Sequence, residues 1–186
     1  VYGGGARPVA EIVEDYPSTC GEAAWRAIEP TKMLISTARK NDIPIFYTTG
    51  APASTTQKLA ATHRTSAAPA PSDYEIFEEF APQAGDTIIV KRRASAFFGT
   101  ILTSLLTEMG IRSLIVAGES TSGCVRASVV DAHSHGYKIT VAEECCFDRS
   151  DLIHKVNLFD LHQKYADVMH VEAIIDHLNA PREAAQ

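Results

Sequence analysis

The segment Leu114-Ile-Val-Ala-Gly-Glu-Ser-Thr-Ser-Gly-Cys124-Val-Arg-Ala-Ser128 joins an apolar run to a helix-forming run through small residues, with a cysteine at the junction. A thiol placed where a strand turns into a helix meets unpaired backbone N–H groups and the positive end of the helix dipole, and both favour thiolate over thiol. The same N–H groups can hold an oxyanion, so one turn can supply a nucleophile and its oxyanion site. A buried structural cysteine at a tight turn fits the same residues. The segment alone leaves both readings open.

Lys91 is the second candidate, in Val90-Lys-Arg-Arg-Ala-Ser-Ala-Phe-Phe-Gly-Thr100. It follows a short apolar strand and so falls on the same rim of a parallel sheet as the turn before Cys124. From there it can donate a proton, or favour the thiolate as a fixed positive charge. A lysine just past a strand can also be a solvated edge residue. Two strand ends aimed at one crevice make a stronger case than either alone.

The elements that must position these groups alternate along the chain. Apolar runs of strand length lie at Ile43–Thr48, Ile88–Val90, Ser113–Ala117, Tyr137–Val141 and Val168–Val171. Helical patterns cover Glu22–Asn41, broken or kinked at Pro30, then Ser95–Gly110, Ser122–Gly136 and Ser150–Tyr165. Nearly continuous apolar strands imply parallel pairing with both faces covered. The expected fold is α/β, a three-layer α/β/α sandwich with a mainly parallel, Rossmann-like sheet and ligand sites beyond the strands' C-terminal ends. The 186 residues are read as one domain, 1–186. The Ala, Pro, Ser and Thr of Gly50–Ser72 mark a long loop, suited to an active-site wall, a subunit contact or a plain surface excursion.

Composition narrows the function classes. A net charge of −6 with scattered basic residues argues against nucleic acid as a partner. No apolar run reaches membrane-helix length and no signal-peptide pattern is present. The four cysteines, Cys20, Cys124, Cys145 and Cys146, make no zinc spacing and fit a reducing cytoplasm. His133 and His135, two apart on a helix, point to different faces and cannot chelate together. His63 adds no metal motif, and His154, His162, His170 and His177 read as helix-surface and packing residues. Gly3 to Gly5 lack the strand before and the Lys-Ser/Thr after that a phosphate loop needs.

The pattern Lys91-x-x-x-Ser95-Ala96-Phe97-x-Gly99-Thr100, followed by Gly118-x-Ser120-Thr121-Ser122-Gly123-Cys124-Val125-Arg126-Ala127-Ser128 and Asp131-Ala132, resembles the isochorismatase-like cysteine hydrolases. Within them it is most similar to the branch of N-carbamoylsarcosine amidase and the maleamate amidases. Glu144-Cys-Cys-Phe-Asp-Arg149, Asn157-Leu-Phe-Asp and Lys164-Tyr-Ala-Asp carry that branch, and the resemblance runs from about Glu22 to His177.

The resemblance implies a triad in which Cys124 attacks an amide or carbamoyl carbon, Lys91 supports charge and proton transfer, and an aspartate completes the set. That aspartate would close the first strand, a few residues before an aromatic that Tyr2 matches, and is expected upstream of Val1. Glu11, Glu14 and Asp15 match no motif. The oxyanion would lie on the N–H groups of Ser120 and Cys124, with a non-proline cis peptide at Glu119-Ser120. Arg149, Phe97 and Thr121 would bind substrate, Arg149 through a bidentate grip on a carboxylate. An ion pair of Arg149 with Asp148 or Asp151 is the other reading, and Arg126 is a second candidate. Phe97 and its neighbour Phe98 also read as core residues.

Related nicotinamidases carry an Asp-x-His metal motif where this chain has Tyr47-Thr-Thr-Gly50, so neither metal nor cofactor is expected. The implied activity is ammonia-releasing hydrolysis of a small, carboxylate-bearing amide or carbamoyl substrate by a homo-oligomer, dimer or tetramer. A vinyl-ether hydrolase and a noncatalytic ligand-binding member of the fold are the alternatives.

Overall fold

The computed structural model describes residues 2–17, 19–50 and 74–181. The 50–72 loop beyond Gly50, and His63 within it, lie outside the described residues. Among the described residues the helices and strands run in the order α1 (Val9–Ile12), α2 (Glu22–Arg26), α3 (Ile28–Lys40), β1 (Phe46–Gly50), β2 (Thr87–Lys91), α4 (Leu102–Glu108), β3 (Ser113–Glu119), α5 (Arg126–Ser134), β4 (Lys138–Phe147), α6 (Asp151–Lys164), β5 (Asp167–Met169) and α7 (Val171–Asn179). The helix expected over Glu22–Asn41 is therefore two helices that part at Ala27. Pro30 falls in the first turn of α3, where its missing N–H removes no intrahelical bond.

Every strand pair is parallel. The strands form two ladders, β1-β2 and β3-β4-β5. Among the described residues β1 pairs only with β2, and β3 only with β4.

Strand β4 shows why the architecture is layered. Its Ile139, Val141 and Cys146 join a core with Leu102 and Leu106 of α4, Val129 and Ala132 of α5, and Leu158 and Leu161 of α6. Its Ala142 and Cys145 join a second core with Leu34 of α3 and Val171 and Ile174 of α7. A strand buried on both faces carries apolar residues on both, as Ile139, Val141, Ala142, Cys145 and Cys146 do here. Burial holds the Cys145 thiol protonated, its pKa pushed up to about 11.

The β3–β4 register shifts between Val116 and Gly118, so Val116 faces Val141 while Gly118 faces Cys146 and Glu119 faces Phe147. Gly118 sits at φ 118°, a conformation that side chains resist. This irregularity delivers the end of β3 to the rim beside the end of β4.

Candidate functional site

Strand β3 runs straight into a single π-helical turn, Thr121–Val125, and then into α5. The Ser120 carbonyl accepts from Gly123 N–H at 2.9 Å and from Val125 N–H at 3.2 Å. Cys124 lies within that wide turn, its side chain half-buried. The Glu119-Ser120 peptide, just ahead of the turn, is cis. A side chain on Gly123 would meet Ser120 Oγ at 2.5 Å, so glycine keeps the turn closed.

Lys91 arrives from the C-terminal end of β2, and its Nζ donates to Cys124 Sγ at 3.2 Å and to the Arg93 carbonyl at 3.1 Å. Two residues 33 apart in sequence thus meet because parallel strands end on one rim. The lysine is braced by its own loop, whose Ala96 N–H donates to Ser128 Oγ of α5 at 2.9 Å. Loop and nucleophile helix are tied together.

The turn is also held from outside. Asp148, which follows β4 and is buried, accepts from Ser122 N–H at 2.8 Å and Ser122 O–H at 2.7 Å. Its other oxygen accepts from Arg149 N–H at 2.8 Å. The Thr121 hydroxyl is fully buried and hydrogen-bonds with His154 Nδ1 of α6 at 2.8 Å. Burial lowers the His154 pKa, although Glu143, Asp151 and Asp148 oppose it.

Arg149, half-buried, lies next to this carboxylate. Asp151 pairs with Lys155 at 2.8 Å, while the positive charge of Arg149 acts on Glu119 and Cys20 and draws both pKa values down. The Cys20 thiol donates to Glu119 Oε2 at 3.6 Å, and burial holds that thiol protonated, its pKa pushed up to about 12.

Burial raises the Glu119 pKa from its ordinary value, with Arg149 and the Cys20 contact opposing and Asp148 reinforcing the rise. An acid raised by folding holds its proton longer in the native state. The protein therefore loses stability as pH rises from the unfolded value through the folded one. Glu119→Gln is expected to remove that slope, so the variant should gain melting temperature relative to the parent as pH rises from 4 to 8. Melting curves whose difference does not vary with pH would contradict this.

The remaining candidates fall elsewhere. Phe97 is buried in the main core and stacks on His135 with ring centroids 5.5 Å apart. His133 packs edge-on against Tyr165, so the two histidines do serve different partners. Arg126 pairs with Asp160 and donates to Asn157 Oδ1 at 3.2 Å, which fastens α5 to α6. Glu11, Glu14 and Asp15 are exposed. Asp148 stood in the sequence within the Glu144–Arg149 motif and as an ion-pair partner for Arg149. His154 gave no signal beyond its place in a helix.

Residues 10–173 match the isochorismatase domain family, and the chain belongs to that family. It is 35% identical over 152 residues to N-carbamoylsarcosine amidase of an Arthrobacter species, covering 77% of this chain and 58% of that protein. Over 92 residues it is 50% identical to maleamate amidohydrolase of Pseudomonas putida, covering 50% and 43%. The chain spans about half the length of these curated relatives. The crystal structure of N-carbamoylsarcosine amidase from Thermoplasma acidophilum superposes with a TM-score of 0.72 at 25% identity, covering 89% of this chain and 93% of that one. A Burkholderia thailandensis isochorismatase family protein, at 19% identity and TM-score 0.77, shares the fold.

Proposed function

We propose that this chain is a cysteine-dependent amidohydrolase that cleaves a carbamoyl or primary amide C–N bond of a small, carboxylate-bearing substrate and releases ammonia. The observation that carries this reading is the 3.2 Å contact between Lys91 Nζ and Cys124 Sγ at two neighbouring strand ends. A cation at that distance favours the thiolate, the form that attacks. Sγ adds to the carbonyl carbon, and the Ser120 and Cys124 N–H groups take the developing oxyanion. Collapse breaks the C–N bond, and Lys91 supports protonation of the departing nitrogen, which leaves as ammonia. Water then cleaves the S–C bond and returns the thiol, completing the hydrolysis.

Arg149 has the fork geometry to hold the substrate carboxylate, while Thr121 and Phe97 shape the site from behind through the turn and the core. The names of the two amidase relatives support amide chemistry. Vinyl-ether hydrolysis would leave a thiol held by a lysine without a task. The same reading includes a homo-oligomer in the cytoplasm, a setting that suits four free thiols. No described helix is long and apolar enough to cross a membrane.

The third triad member in this reading is an aspartate closing a strand beside β1 and β3, each of which pairs on one side only among the described residues.

The direct test is ammonia release from N-carbamoylsarcosine, maleamate and biuret by the full-length protein. Turnover of at least one is expected, and release from none would overturn the reading.

A further inference from the structure

Asp148 is the one charged residue among the described residues counted as buried, at 6% exposure. A carboxylate taken out of water is costly unless its oxygens are hydrogen-bonded, and here they accept three bonds of 2.7–2.8 Å. Two of the donors belong to Ser122, in the turn that carries Cys124. The third is the backbone N–H of Arg149. None of the three bonds reaches the thiol, so the group acts through the turn that carries Cys124 and not on the sulfur itself.

We infer that Asp148 is a positioning residue that sets the spacing between the attacking sulfur and the arginine fork. One oxygen, Oδ2, fixes the Cys124 turn, and the other, Oδ1, fixes the backbone from which Arg149 projects. The inference rests on the amidohydrolase reading for its substrate, but the clamp itself is a property of the fold. Asparagine cannot replace it. The amide has one acceptor oxygen, so its NH2 must face either the Ser122 donors or the Arg149 N–H, donor against donor. Small displacements of a catalytic group cost rate steeply, because the near-attack geometry is lost.

The test uses Asp148→Asn and Ser122→Ala in the full-length protein. Three measurements are compared: kcat and KM on N-carbamoylsarcosine or maleamate, the same on the carboxylate-free amide N-methylurea, and the pH profile of Cys124 alkylation by iodoacetamide. Asp148→Asn is expected to lower kcat/KM on the carboxylate substrate by about 10²-fold and to cost less on N-methylurea. Ser122→Ala keeps the backbone bond and should cost about tenfold, with little further loss when combined with Asp148→Asn.

The alkylation inflection separates geometry from charge. A turn displaced from Lys91 moves it to higher pH, whereas removal of a negative charge alone moves it lower. An Asp148→Asn protein that melts like the parent but keeps its kcat/KM within twofold, or an inflection that stays put or falls, overturns the inference. If that variant does not fold, Ser122→Ala decides, and parent-like kinetics and alkylation in it overturn the inference. If the parent releases no ammonia, the amidohydrolase reading falls and the alkylation profile still tests the clamp.

Discussion

Cys124→Ala is expected to lower ammonia release by about 10⁴-fold or more, because removing a nucleophile removes the pathway and not just one contact in it. Cys124→Ser should fare little better, since an alcohol beside Lys91 ionises far less readily than a thiol. Neither change should greatly affect folding. Cys124 is half-buried in a turn closed by the Ser120 carbonyl and tied down by Asp148, and none of those bonds uses its sulfur. Coupled measurement of ammonia and melting temperature checks the prediction. Activity of Cys124→Ala within tenfold of the parent would exclude the covalent route, and mass spectrometry of the parent quenched during turnover should show the acyl adduct on this residue.

Lys91→Met is expected to lower kcat by about 10²–10³-fold, the range in which a positioned proton donor and adjacent charge contribute. Methionine preserves much of the stem's bulk and removes only the ammonium that donates to Cys124 Sγ and to the Arg93 carbonyl. The thiol should then become harder to ionise, so its alkylation by iodoacetamide should inflect at higher pH than in the parent. Lys91→Arg separates the two tasks of the lysine. Its guanidinium keeps the charge but gives up protons far less readily, so alkylation should recover more than turnover. An unchanged inflection in Lys91→Met would show that the 3.2 Å contact does not govern the thiol.

These two effects concern residues legible in the sequence, and the reason lies in the geometry of parallel sheets. Apolar runs ending in Lys91 and in the turn before Cys124 can only deliver both to the rim at the strands' C-terminal ends. No long-range contact needs to be known to say so. The β-α rhythm and the strand positions follow from periodicity and backbone chemistry alone, whereas the first helix parts at Ala27 and not at Pro30.

What stayed hidden is polar, long-range or against the local pattern. Helix α6 leaves Leu152, Val156 and Phe159 exposed at 69%, 56% and 68%, while His154 reaches inward to Thr121. A pattern argument places apolar residues inside and histidine outside, which holds for Leu158 and Leu161 but misplaces these four residues. Thr121 and Phe97, marked by the resemblance as substrate contacts, turn their side chains to His154 and to the core. Helices α1 and α7 escaped the pattern, α1 because four residues carry no period.

By itself, then, the sequence determined the layered α/β fold and the meeting of Lys91 with Cys124, because strand length, apolar periodicity and chain direction act locally. The tertiary structure alone decided that Asp148 clamps Ser122 and Arg149, that His154 braces Thr121, and that the described strands part into two ladders. The Asp148–Ser122 and His154–Thr121 contacts depend on which polar groups meet across 26 and 33 residues once the layers pack, and no local propensity encodes such a meeting.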